Sequence, residues 1–171
     1  MIKKRSGISL WLVVALSTCS CSMYESSETV ILLPGQFKGS PMVLGETSAS
    51  NISINQNLVP SLIVKVWWND RIIITQNHPM TARNKFAGDT YEIPDRTRLC
   101  WYLIDWKIDF VQRFDDYDHL LQHVKALGID PSEVALMKLH DAQQLRENQL
   151  GFKFTAASVN RFLRSGREQA K

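Results

Sequence analysis

The stretch Leu62-Ile63-Val64-Lys65-Val66-Trp67-Trp68, Asn69-Asp70, Arg71-Ile72-Ile73-Ile74-Thr75 constrains the fold most. Its β-branched and aromatic runs suit a pleated, half-buried surface, and the Asn-Asp pair between them suits a tight turn, so the segment predicts a β-hairpin. Strict alternation sets Leu62, Val64, Val66 and Trp68 on one face and Ile63, Lys65 and Trp67 on the other, the Lys65 face being the wetter. Leu99 to Trp106 is apolar on both faces for most of its length, as a central strand requires. Lys107-Ile108-Asp109 then turns the chain into Phe110 to Phe114, a second hairpin partner.

The flanking segments are weaker. Val30 to Leu33 is closed by the turn dipeptide Pro34-Gly35, and Met42 to Leu44 by Gly45. Glu46 to Asn57, with only Ile52 and Ile54 alternating, reads as a loop or weak edge strand. Gln76 to Asp95 reads as a long loop with a strand near Thr90 to Ile93. After Asp115 the period changes. Leu120, Val124 and Leu127 recur at helical spacing, with Asp115, Asp116 and Asp118 at the start and Gly128 as the stop. Asp130-Pro131-Ser132-Glu133 predicts a second helix to about Gln149, burying Val134, Ala135, Leu139, Ala142 and Leu145. Thr155 caps a third from Ala156 to Arg164.

These elements predict an α+β fold, a small antiparallel β-sheet of hairpins packed by C-terminal α-helices, as a single domain over 30–164. The length of 171 residues, with 44% hydrophobic and 22% charged, fits one globular domain and excludes a multidomain enzyme. Residues 165–171 are expected to form a disordered tail.

The first 21 residues carry a basic start (Lys3, Lys4, Arg5), an apolar stretch from Ile8 to Leu16, and then small polar residues with cysteines. That is the order of a secretory signal peptide; the apolar run is about half the roughly 20 residues a spanning helix needs. The chain beyond the apolar run is expected on the exported side. Removing three of the 20 basic residues leaves 17 against 17 acidic ones, so the net charge of +3 falls to near zero and bulk charge points to no nucleic acid.

Leu16-Ser17-Thr18-Cys19-Ser20-Cys21 resembles the lipobox of bacterial lipoproteins, in which a cysteine after a small residue receives a diacylglycerol thioether. Cys21, preceded by Ser20, is the expected lipid attachment site, with Cys19 as the alternative because Leu16 lies three residues before it. The resemblance implies a cell-envelope protein held to the membrane on its exported side, at the outer membrane or the periplasmic face in a Gram-negative source. Residues 22–29 then form a tether. Acylation of Cys21 leaves Cys100 as the only free thiol, in an apolar run where a buried, inert cysteine is expected.

A second resemblance spans Asn69 to Ile129. Gly88-Asp89-Thr90-Tyr91-Glu92-Ile93-Pro94-Asp95, Trp101-Tyr102-Leu103-Ile104-Asp105, and a helix ending Ala126-Leu127-Gly128-Ile129 resemble a group of small bacterial lipoproteins built on a domain of unknown function. That group has no assigned catalytic residues; the resemblance implies an exported, membrane-tethered small α+β domain. Gln112-Arg113-Phe114-Asp115 stands where the group usually has Gly-Pro.

Few residues suggest chemistry. His119 and His123 have the i, i+4 spacing that lets two imidazoles face one metal, with His140 or Asp116 as a third ligand, but they flank the apolar stripe and read better as boundary positions. Asp105 and Asp109 flank a turn; two nearby carboxylates suit acid-base work, yet aspartates at strand ends more often cap turns. No Gly-x-Ser-x-Gly elbow, phosphate loop or dinucleotide fingerprint occurs, so the expectation is no enzyme, no cofactor and no metal. Trp67 and Trp106, should they share an exposed face, would form a platform for a protein or glycan. The reading is therefore a non-catalytic binding role in the envelope, with a protein partner. Toxin-neutralising or enzyme-inhibiting immunity-type activity is the alternative, and a metal-dependent envelope hydrolase the second.

Overall fold

The computed structural model describes residues 30–45, 58, 59, 61–84, 91–155, 157–159 and 161. β1 (Val30–Phe37) and β2 (Ser40–Gly45) form a two-stranded antiparallel hairpin. β3 (Ser61–Trp68), β4 (Ile72–Ala82), β5 (Glu92–Pro94), β6 (Cys100–Asp105), β7 (Phe110–Phe114) and β8 (Met137–Lys138) form the main sheet. Its order is β7-β6-β4-β3-β8, with β5 paired to the far part of β4 and every pairing antiparallel.

The β3–β4 hairpin forms where the apolar runs place it. Asn69 makes its turn: the side-chain oxygen accepts the N–H groups of Arg71 at 2.8 Å and Ile72 at 2.7 Å. Strict alternation fails, however. Ile63 pairs with Asn77 and Lys65 with Gln76, so Val64 is an extra residue in β3. An inserted residue reverses the side-chain parity beyond it, which brings Ile63 and Val66 into one core and sends Trp67 to the other face. The Lys65 face is not the wet one; Trp67 on it is only 8% exposed.

β4 also runs on to Ala82, through residues whose polarity reads as loop. Tertiary pairing overrides composition here, because Asn77 is buried between Ile63 and Cys100 and residues 80–82 take β5 as partner. Pro79, lacking an N–H, sits just past the last β6 pairing, and its carbonyl accepts the Asp95 N–H at 2.7 Å. Pro34-Gly35 is likewise no turn: β1 continues through it with a register shift, and the hairpin reverses at Lys38-Gly39.

Both faces of the sheet are covered. On one, Ile63, Val66, Ile73, Cys100, Tyr102 and Ile104 pack against Ile31, Leu33, Phe37, Met42 and Leu44 of β1–β2 and against Leu139 and Ala142 of the C-terminal helix. On the other, Trp67, Ile72, Ile74, Trp101, Leu103 and Phe114 pack against Leu120, Val124 and Val134. β6 is buried at all six positions, as a strand between two neighbours and two covered faces must be.

Helix α1 (Tyr117–Ala126) matches its periodicity and is capped by Asp116, whose side chain accepts the His119 N–H at 2.9 Å. The second helix starts later than its capping signal. Asp130 does accept the Ser132 N–H, but only a 3-10 turn at Pro131–Glu133 follows. Val134 drops into the α1-side core and Met137–Lys138 pairs with Lys65 and Val66; only then does α2 (Leu139–Leu150) begin, on the opposite face. Carrying the chain around the β3 edge prevents a continuous helix from 130, and Leu145 ends up 40% exposed. Thr155 caps a helical segment at 157–159 by accepting the Ser158 N–H at 3.0 Å. The expected leader 1–21, the tether 22–29, the loop 46–57 and the tail 165–171 lie outside the described residues.

Candidate functional site

Three turns meet at one end of the sheet. The β3–β4 turn supplies Arg71, whose Nε and Nη2 each lie 2.7 Å from Oδ2 of Asp105 at the end of β6. Asp105 is 1% exposed, and its other oxygen accepts the Lys107 N–H at 3.1 Å. The β1–β2 turn joins through Lys38, whose backbone N–H donates to Asp109 at 2.6 Å. Lys38 and Asp109 both adopt positive φ, 47° and 53°, so the contact ties together two left-handed positions. Trp106 lies flat against the α-carbon of Gly35, and Lys107 sits over its ring at 5.5 Å. Ile108, 64% exposed, and Phe110 project beyond.

This geometry redefines several candidates. Asp105 and Asp109 are each engaged, one by a guanidinium and the other by a backbone N–H, so both carboxylates hold turns in place. Trp67 and Trp106 do not make a platform. Trp67 belongs to the α1-side core, whereas Trp106 packs on the opposite core with Gly35 against its ring, so the two occupy opposite faces.

His119 and His123 share α1, where His119 is exposed and His123 lies beside two rings, 6.5 Å from Phe110 and 5.5 Å from Phe114 between centroids. His140 is on α2, across the sheet from them, so it supplies no third ligand. Among the described residues, no three His, Cys, Asp or Glu side chains converge as a metal site would need. Cys100 is free and buried, and burial pushes its thiol above the usual range, away from the reactive thiolate. Cys21 and Cys19 lie outside the described residues.

The opposite end holds a second group that periodicity missed. Asp95 follows β5 and accepts the Thr97 hydroxyl at 2.6 Å, the Thr97 N–H at 3.1 Å and the Arg98 Nε at 2.7 Å. These bonds, the Thr97 hydroxyl foremost, hold its carboxyl at about 2, below the ordinary 3.8. Around this turn Tyr91, Ile93 and Leu99 are 57, 37 and 41% exposed, and the Arg83 guanidinium lies 5.1 Å from the Tyr91 ring. The expected strand near Thr90 to Ile93 is β5, and its alternation leaves Tyr91 and Ile93 at strand spacing as exposed side chains within a polar stretch. Among the described residues, neither end presents a nucleophile beside a base; what both present is apolar and cationic surface around rigid turns.

A family model described as "Protein of unknown function (DUF3997)" matches residues 42–140, which include β3 to β8, α1 and the Tyr91–Asp95 segment. No curated protein and no solved structure matches the chain.

Proposed function

The chain belongs to the DUF3997 family of proteins of unknown function, and from that premise we propose that it is an exported lipoprotein whose folded domain binds a partner at the envelope membrane without catalysis. The observation that carries the reading is the order Lys3-Lys4-Arg5, Ile8 to Leu16, Ser20-Cys21: a basic start, a short apolar run, and a cysteine behind a small residue. Lipid chains on one cysteine contribute about 0.8 kcal/mol per buried methylene, and two or more together hold a protein stably to a bilayer. The binding role is supported by where apolar side chains remain exposed. With both sheet faces covered, Ile108 and Phe110 stand out at one end and Tyr91, Ile93 and Leu99 at the other.

The test is intact mass and membrane partitioning of protein expressed in bacteria, comparing wild type with Cys21→Ala and Cys19→Ala. A lipid-sized mass increase that disappears in Cys21→Ala puts the anchor there; loss only in Cys19→Ala moves it two residues back. A soluble wild type with no added mass sinks the reading.

A further inference from the structure

We infer that β7 is the edge at which two copies of this chain join: the strands pair antiparallel about a two-fold axis at Gln112 and run the two main sheets into one. This goes beyond the proposed anchoring and does not depend on it. β7 closes one end of the order β7-β6-β4-β3-β8, so it has β6 on one side and, among the described residues, no strand on the other. Which of its groups face outward follows from one bond. Just past the β4–β6 ladder the Trp106 N–H donates to the Arg71 carbonyl at 3.2 Å, so the even-numbered residues of β6 turn to β4 and the odd-numbered ones to β7. Phe110, Gln112 and Phe114, opposite Asp105, Leu103 and Trp101, complete the ladder with β6, and Val111 and Arg113 turn their N–H and C=O groups outward. No described residue bonds those groups.

An open row of main-chain donors and acceptors is a template for another strand, and folded chains guard it with proline, a bulge, a very short strand or a free charge. The other described edge strands carry such guards: Pro34 and a register shift in β1, Pro41 in β2, Pro94 in β5, and a length of only two residues in β8. β7 contains no proline and pairs with β6 without a bulge. Its one charge, Arg113, is bound to Asp115 at 2.6 Å.

A second β7 fits this edge because the edge is complementary to itself. With Gln112 opposite its own copy, Val111 of each strand meets Arg113 of the other; these are the outward-facing positions on both, so every outward N–H meets a C=O. On the α1 side Phe110, 39% exposed, comes opposite Phe114 of the second copy, an aromatic pair of the kind that stabilises adjacent strands. The Gln112 amides meet at the axis, where each offers the other a donor and an acceptor. Asp109 and Asp115 come opposite each other at the ends, and both carboxylates are already engaged, by the Lys38 N–H and by Arg113.

The experiment uses the full chain in a mild detergent, gently oxidised after Gln112→Cys, Val111→Cys or Arg113→Cys, with wild type and its three native cysteines as the background. In this register the two α-carbons of position 112 lie about 4.5 Å apart, within reach of a disulfide, whereas positions 111 and 113 each lie roughly 8 Å from their own copies, beyond it. The expected result is a cross-linked dimer several-fold above background at 112 and near background at 111 and 113. Light scattering is expected to give two chains per particle for wild type. Val111→Pro removes an outward N–H and no bond to β6, so it should give one chain per particle with an unchanged far-ultraviolet circular dichroism spectrum. A monomeric wild type, cross-linking at 111 or 113 that matches that at 112, no cross-link above background at 112, or a folded Val111→Pro that stays dimeric overturns the inference. If Val111→Pro does not fold, the cysteine series decides alone.

Discussion

Arg71 places two guanidinium nitrogens 2.7 Å from a single oxygen of Asp105, and the two partners are buried unequally: the Asp105 side chain is 1% exposed and that of Arg71 is 39%. The pair locks the β3–β4 turn to the end of β6, and its asymmetry makes an asymmetric prediction. Arg71→Ala leaves a buried carboxylate without its counter-ion and is expected to cost about 3 kcal/mol, the low end for a broken buried pair because water reaches the guanidinium side. Asp105→Ala frees an arginine that can turn to solvent and should cost less. Urea unfolding midpoints of the two variants check this, and equal losses would refute the asymmetry.

Gly35 is predicted to be irreplaceable for two reasons that can be separated. Its φ of 81° disfavours any side chain, and a Cβ there would overlap the six-membered ring of Trp106. Gly39 has a similar φ of 72° with open space around it. Gly39→Ala therefore carries only the backbone cost, about 1 kcal/mol, whereas Gly35→Ala adds overpacking of about 1–3 kcal/mol. A thermal melt in which the two variants behave alike would show that Trp106 yields. Recovery of much of the Gly35→Ala loss by Trp106→Leu would show that the ring causes it.

The legible and illegible parts of this fold differ in range. The Leu62–Thr75 hairpin, the central strand of residues 100–105 and the helix around Leu120 and Val124 are written in neighbouring residues, so periodicity finds them. The Val64 bulge, the extension of β4 to Ala82 and the strand at Met137–Lys138 depend on partners far along the chain. The same limit governs the sites. Trp67 and Trp106 look equivalent in sequence, yet one inserted residue in β3 and the close approach of Gly35 put them in different cores. Asp130 shows the converse: its cap bond forms as local chemistry dictates, while burial of Val134 ends the helix after one turn.

Asp95 carries a prediction about pH. Its folded pKa of about 2 lies below the ordinary 3.8, so its contribution to order in the 95–98 turn is present above about pH 4 and is lost as the pH falls toward 2. The Thr97 hydroxyl is the largest cause, followed by the Arg98 side chain and the Thr97 N–H. Thr97→Val keeps the backbone bond and removes the hydroxyl, so the carboxyl pKa should move up toward 3.8. An NMR titration of the Asp95 carboxyl carbon reads this directly, and an unmoved midpoint would assign the depression to Arg98 and the Thr97 N–H.

Trp67 separates a core residue from a recognition residue by stability. It is 8% exposed and packs with Ile72, Ile74, Trp101 and Leu103 beneath α1. Trp67→Ala opens a cavity between the sheet and that helix and should cost about 3–5 kcal/mol. Ile108, at the turn and 64% exposed, supplies the control: Ile108→Ser should stay within about 0.5 kcal/mol of wild type. Denaturant unfolding followed by far-ultraviolet circular dichroism distinguishes the two. If Trp67→Ala unfolds at the wild-type midpoint, the tryptophan is not holding α1 to the sheet, and the assignment of that face to the core fails with it.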